Sequence, residues 1–205
     1  MTDTDTLAKY RSRNVPRYTS YPTAPHFTAD FGADAYQDAL SKLDPNVPVS
    51  LYLHVPFCRQ LCWYCGCNMK LASKEAPIAA YAKTLRKEIA LLAAHLPGRV
   101  RVSHLHWGGG TPTALRPEDL NMLMSEVRHH FTIEPDAELA IESDPRSLSD
   151  EMIAMIGALG FTRASFGVQE FDPKVLPPLS LSRSPRVWVF WRSQRDIFGW
   201  CGVRL

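Results

Sequence analysis

Several protein classes are excluded by what this sequence lacks. No apolar run approaches the ~18 residues that a membrane-spanning helix requires, so no membrane span is expected. Residues Met1 to Tyr10 are polar and acidic, without the apolar stretch of a secretory signal. Five cysteines cannot all pair with one another, and four of them fall between positions 58 and 67. That crowding argues against a secreted disulfide framework. A reducing, cytoplasmic setting is therefore expected. Lysine is missing from Val175 to Leu205, where five arginines face a single acid, Asp196. The formal charge of +2 thus belongs to this tail, and residues 1–174 sit near −2. A bare arginine excess is weak support for nucleic-acid binding, and no such partner is expected.

The remaining chain alternates between two hydrophobic periods. Residues 1–48 form an N-terminal extension whose first part is loop-like, with Pro16, Pro22 and Pro25 among Tyr18, Tyr21 and Phe27. A short helix over 33–43 precedes Pro45. An apolar strand over 49–55 leads into the cysteines. Ile78, Tyr81, Ala82, Leu85, Ile89 and Leu92 mark a helical stripe stopped by Pro97-Gly98. Strands are then expected over 102–107, 138–142 and 162–168, with helices over 117–131 and 149–159 between them. Pro117 suits a first helical turn. The order βαβαβαβ implies parallel strands joined by crossover helices. In such folds ligands gather at the C-terminal ends of the strands. The cysteines, the run Gly108-Gly109-Gly110-Thr111, Glu142 and Gln169 all fall at such ends. From 175 to 205 the character changes: three of the five tryptophans lie there, and no capped helix or clean strand emerges. This tail reads as sequence not selected to fold with the rest, a frameshifted or chimeric end being expected over a natural Trp-rich terminus.

Cys58-x3-Cys62-x2-Cys65-x-Cys67 is the most specific chemical signal. Thiolates packed so tightly on a loop need a metal to offset their repulsion. Zinc, with His104 or His106 as a later ligand, is the less suitable choice, because zinc sites favour paired C-x2-C knuckles set well apart. An iron–sulfur cube held by three cysteines leaves one iron with open coordination. That iron can chelate the amino and carboxylate groups of S-adenosylmethionine, into whose sulfonium a low-potential cluster can pass one electron. Trp63 and Tyr64, between the ligands, could cover the cluster. The glycines lack a Cβ and let the backbone approach a ligand closely. Glu142 could hold ribose hydroxyls or an ammonium group, and Gln169 offers both donors and acceptors. Alone, each has a plainer reading: the glycine run as a turn, Glu142 as a solvated strand-end carboxylate, Gln169 as a capping residue. Trp107 reads as a core residue, His129-His130 and Arg99 with Arg101 as solvated surface, and Cys201 as a free thiol without a role.

The segments that carry these residues resemble radical SAM enzymes. They are Tyr52-Leu-His-Val-Pro-Phe-Cys58-x3-Cys62-Trp-Tyr-Cys65-Gly-Cys67-Asn68, Leu105-His-Trp-Gly-Gly-Gly-Thr-Pro-Thr113, Ile141-Glu-Ser-Asp-Pro-Arg146 and Phe166-Gly-Val-Gln-Glu-Phe171. Together with Pro16-Arg-Tyr-Thr-Ser-Tyr-Pro-Thr-Ala24 they are similar to the oxygen-independent coproporphyrinogen III oxidase family, from about residue 10 to 174. The resemblance implies an α/β fold, an incomplete radical SAM partial barrel with about four parallel strands present, its core at 49–174. It implies that Cys58, Cys62 and Cys65 bind a [4Fe–4S] cluster and that Cys67 does not. Tyr52, Tyr64, Gly109 and Glu142 match contacts to the cluster-bound S-adenosylmethionine. Gly110, Thr111 and Gln169 match contacts to a second S-adenosylmethionine. The implied reaction is oxidative decarboxylation of two propionates of coproporphyrinogen III, giving protoporphyrinogen IX for heme synthesis. A hydrogen is taken from the propionate β-carbon, and carbon dioxide and one electron then leave. An electron donor and an electron acceptor are required, and a monomer is expected.

The sequence departs from that family in two places. Ser143 stands where the family typically carries an apolar residue. The match also stops near Lys174 although family members are much longer, so the chain reads as a truncated form, either weakly active or an inactive fragment. The heme-chaperone branch of the same superfamily shares the cysteine loop and the glycines. The Cys65-Gly-Cys67 ending and the segment from Pro16 favour the oxidase branch.

Overall fold

The protein is described by a computed structural model over residues 24–167, apart from Ala29, Trp63, Tyr64 and Gly66. Tyr64, Gln169 and the tail at 175–205 therefore lie outside the described residues. The chain divides into two compact units, Met1–Asp38 and Ala39–Leu205. In the first, a short 3-10 turn at Ala24–His26 precedes helix α1, Ala33–Ser41, which continues into the second unit.

The second unit is built on a four-stranded sheet. Strands β1 (Val49–Val55), β4 (Arg101–Gly109), β5 (Thr132–Ser143) and β6 (Arg163–Phe166) lie side by side in that order. Every pair is parallel. Helices α2 (Glu75–Ala94), α3 (Pro117–His130) and α4 (Asp150–Ala158) make the crossovers. The alternation expected from hydrophobic period is thus the alternation found, because parallel neighbours need long connections and only helices bury them.

Burial follows the sequence pattern closely. The six expected stripe residues of α2 pack as one face, with Ile78, Ala82 and Ile89 buried and Tyr81, Leu85 and Leu92 partly so. On α3, Leu120, Leu123, Met124 and Val127 are fully buried at i, i+3, i+4 and i+7. Acids at Glu118 and Asp119 open α3, and Arg128, His129 and His130 close it, both favourable to the helix dipole. The core reaches the sheet through Leu53, Val55, Val102, Leu105, Trp107 and Ile141. Helix α4 begins at a proper cap, since the Ser149 hydroxyl accepts from the Met152 amide at 3.2 Å.

Two features differ from the sequence expectation. Strand β5 begins at Thr132, well before residue 138, even though Pro135 and Asp136 lie inside it. The ladder to β4 passes from Val102↔Ile133 directly to His104↔Glu138, so a bulge carries the proline where no ladder donor is needed. A second, two-stranded parallel pair, β2 (Phe57–Cys58) with β3 (Lys70–Leu71), was not expected. It draws together the two ends of the cysteine loop, and the Ala72 amide donates to the Cys58 carbonyl at 3.0 Å to close it.

Candidate functional site

A cleft of about 400 Å³ opens at the C-terminal ends of the strands. Of the residues singled out in the sequence, Cys58, Cys62, Cys65, Gly109, Gly110, Thr111 and Glu142 line it, as does Cys67. Tyr52 does not line the cleft. Its ring stacks on His106 at 5.7 Å and 12°, and its hydroxyl meets His54 Nδ1 at 3.0 Å. His106 Nε2 in turn lies 3.3 Å from Glu142 Oε1, so Tyr52 reaches the site through one intermediary.

The four cysteines are free thiols with graded exposure: Cys58 is buried, Cys62 half-buried, Cys65 and Cys67 exposed. Cys58 ends β2, and its Sγ lies 3.3 Å from Thr111 Oγ1. Burial pushes the Cys58 thiol up, opposed by that hydrogen bond and reinforced by Cys65 and Cys62 nearby. Burial also raises the Cys67 thiol, with Cys65 as the next cause. The Cys65 amide donates to the Cys62 carbonyl at 3.1 Å. Among the described residues no three His, Cys, Asp or Glu side chains stand close enough to hold a metal ion.

The glycine run does something the sequence did not disclose. A Cβ on Gly110 would stand 2.8 Å from the carbonyl oxygen of Phe57, which is backbone and cannot yield. One on Gly109, whose φ is +116°, would meet the His54 ring at 2.7 Å. The amides of Gly110 and Thr111 donate to the Val55 and Phe57 carbonyls at 2.9 and 2.8 Å. The Gly109 amide donates to Glu142 Oε2 at 3.2 Å. The close approach permitted by the missing Cβ is thus an approach of β4 to the β1–β2 connection. These contacts seat the cysteine loop on the sheet. Glu142 is held at both oxygens, by His106 and by Gly109.

The last side of the cleft comes from the turn after β5, which carried no role in the sequence reading. Asp144-Pro145-Arg146-Ser147 closes with the Ser147 amide donating to the Asp144 carbonyl at 3.1 Å, with proline at the second position as such turns prefer. The Asp144 carboxylate accepts from the Arg146 amide at 2.9 Å and from its guanidinium at 2.6 to 3.0 Å. Hydrogen bonding to Asp144 holds the guanidinium above the ordinary arginine value. Arg146 Nη2 also donates to Cys62 Sγ at 3.3 Å. An Asp-Pro-x-Ser turn at a strand end is legible in a sequence; its reach across the fold to a cysteine loop is not.

Comparison with known proteins identifies the family and the fold. The sequence profile of the radical SAM superfamily matches residues 52–189, past the point near Lys174 where the motifs end. An oxygen-independent coproporphyrinogen III oxidase of Bradyrhizobium diazoefficiens is 49% identical over 171 residues, covering 83% of this chain and 38% of the relative. The protein of that name from Escherichia coli is 44% identical over 160 residues, covering 78% and 35%. A solved structure of coproporphyrinogen III oxidase from Escherichia coli, described as a radical SAM enzyme, superposes with a TM-score of 0.83 at 37% identity. It covers 94% of this chain and 43% of that one. The chain spans little more than a third of the length of these curated relatives.

Proposed function

This chain belongs to the radical SAM superfamily, and on that premise we propose that it acts in the oxygen-independent oxidation of coproporphyrinogen III to protoporphyrinogen IX. The observation that carries the reading is that one cleft is lined by three free thiols together with Gly109, Gly110 and Glu142. The names of the similar proteins supply the substrate and the independence from oxygen. The decarboxylation itself is what the family resemblance implies.

Cys58, Cys62 and Cys65 are the residues that would hold a [4Fe–4S] cluster. Their chemistry fits it: they are unpaired thiols, and burial and mutual proximity make a lone charge on Cys58 costly. A metal that takes up sulfur charge offsets that cost. A bound cluster with S-adenosylmethionine supplies one-electron chemistry that opens an unactivated C–H bond to attack. The chain's own part is to bind, orient and exclude water. Glu142, fixed at both oxygens, offers its remaining lone pairs to an ammonium or to ribose hydroxyls. His106 braces it directly, and Tyr52 stacks on His106. Tyr64 and Gly109 complete the proposed contacts to one S-adenosylmethionine, with Tyr52 proposed to act on it through His106, and Gly110, Thr111 and Gln169 those to a second. The reading entails a one-electron donor, an electron acceptor, a monomeric protein of the cytoplasm and no nucleic-acid partner. Among the described residues no helix is long and apolar enough to cross a membrane.

Anaerobic reconstitution of the 205-residue chain with iron and sulfide tests this. A cluster absorption spectrum and cleavage of S-adenosylmethionine to methionine and 5′-deoxyadenosine are expected. C58A, C62A or C65A should each reduce both to background. A spectrum unchanged in those variants overturns the site. Heme retained without decarboxylation of coproporphyrinogen III overturns the oxidase reading in favour of heme carriage.

A further inference from the structure

Arg146 and Asp144 form a side-chain pair that the proposed chemistry leaves without a role. Their exposures are 9% and 12%, the lowest of the ion pairs at the cleft. Burying a charged pair is costly unless its geometry is good and its remaining donors are used. Here the geometry is good. The guanidinium approaches Asp144 through Nε and Nη2, with contacts between 2.6 and 3.0 Å, and the Asp144 carboxylate also takes the Arg146 amide. Turn, carboxylate and guanidinium thus form one rigid unit at the end of β5. Its Nη2 points across the cleft to Cys62 Sγ at 3.3 Å, a partner 84 residues away in the chain.

Among the described residues, the other anchors of the cysteine loop lie to either side of Cys62: Arg59 bonds to Ala72, Glu75 and Ala114, and the Asn68 carbonyl meets His54 Nε2. The loop's ends are held at Cys58 and Lys70 by the β2–β3 pair, and Cys58 is further held by Thr111. Cys62 is half-buried and lies between those anchors. We propose that Arg146, locked by Asp144, is a positioning residue that fastens Cys62 against the cleft wall and presents an N–H donor to its sulfur. This inference rests on the assignment of Cys62 as a cluster ligand. With the ligand set filled, a donor aimed at a coordinating sulfur stabilises the reduced, more negative state, so the cluster's midpoint is higher with Arg146 than without it. An arginine suits the task because its planar fork can grip the carboxylate and still spare an N–H. Lysine, a point charge, cannot do both.

Two measurements on the 205-residue chain separate this inference from the reading it rests on. In iron-free protein, hydrogen–deuterium exchange of peptides covering 58–62 should quicken several-fold in R146Q while peptides from β4 are unchanged. Equal exchange in R146Q and parent overturns the tether, whether or not a cluster can be loaded. In anaerobically reconstituted protein, a redox titration followed by electron paramagnetic resonance should give R146Q a more negative midpoint, with part of the shift recovered in R146K. An unmoved midpoint overturns the donor role. Should R146Q fail to fold, R146K carries both comparisons, since it keeps the charge and loses the fork. A parent chain that takes up no cluster counts against the proposed function, and the exchange comparison still decides the tether.

Discussion

Ser143 and Thr113 meet hydroxyl to hydroxyl at 3.1 Å, both almost wholly buried, where the 3-10 turn after β4 passes the end of β5. The departure noted at Ser143 thus has a local partner. Removing one hydroxyl leaves the other buried and unpaired, so S143A should cost about 1–3 kcal/mol in chemical denaturation. The double variant S143A/T113V removes both partners and should cost less than the sum of the single changes, by on the order of 1 kcal/mol. Additive costs would show that the pair is not coupled. Trp107 is the core residue expected, fully buried, and its indole Nε1 has no hydrogen-bond partner among the described residues. The sequence could assign these residues to a core or a strand end. It could not say which hydroxyl meets which, because the partners lie on different elements.

Among elements, α2 and α3 are joined at the surface by Glu126, which accepts from Arg86 at 2.6 Å and faces His130 at 3.0 Å. The Arg86 hydrogen bond holds the Glu126 carboxyl below its ordinary value. A depressed folded value means that the stabilisation is fully present above the ordinary carboxylate range of about 4.3. It is lost as pH falls through the lower folded value. Thermal midpoints measured across acidic pH should therefore fall less steeply in E126Q than in the parent. Parallel curves would show that the pair adds nothing. The helices were legible because their stripes repeat at 3.6 residues and proline or glycine flanks them. The first half of β5 was not legible, since Pro135 and Asp136 read as loop and only the bulge against β4 accommodates them.

At the scale of the molecule, the core and the site are separable. The buried cluster packs α2, α3 and α4 onto the sheet, and it contains none of the four clustered cysteines. The cleft lies at the strand ends and, among the described residues, meets that cluster only at Phe166. Replacing all three proposed ligands, as C58A/C62A/C65A, should abolish cluster uptake yet lower the thermal midpoint by only a few degrees. Cys58 alone among them is buried, and its loss removes one sulfur contact to Thr111. Loss of the cooperative transition in that variant would show that the cysteine loop is part of the folding unit.

The sequence by itself determined the alternation of strand and helix, the parallel sheet, the cysteine set and the strand ends at which ligands gather. Those are consequences of local period, caps and spacing, which any segment carries within itself. Only the tertiary structure decided that the glycine run seats β4 against the β1–β2 connection, that β2 and β3 close the cysteine loop, and that Arg146 reaches Cys62. Each of these depends on groups brought within a few ångströms from distant positions, and no single stretch of chain records such a meeting.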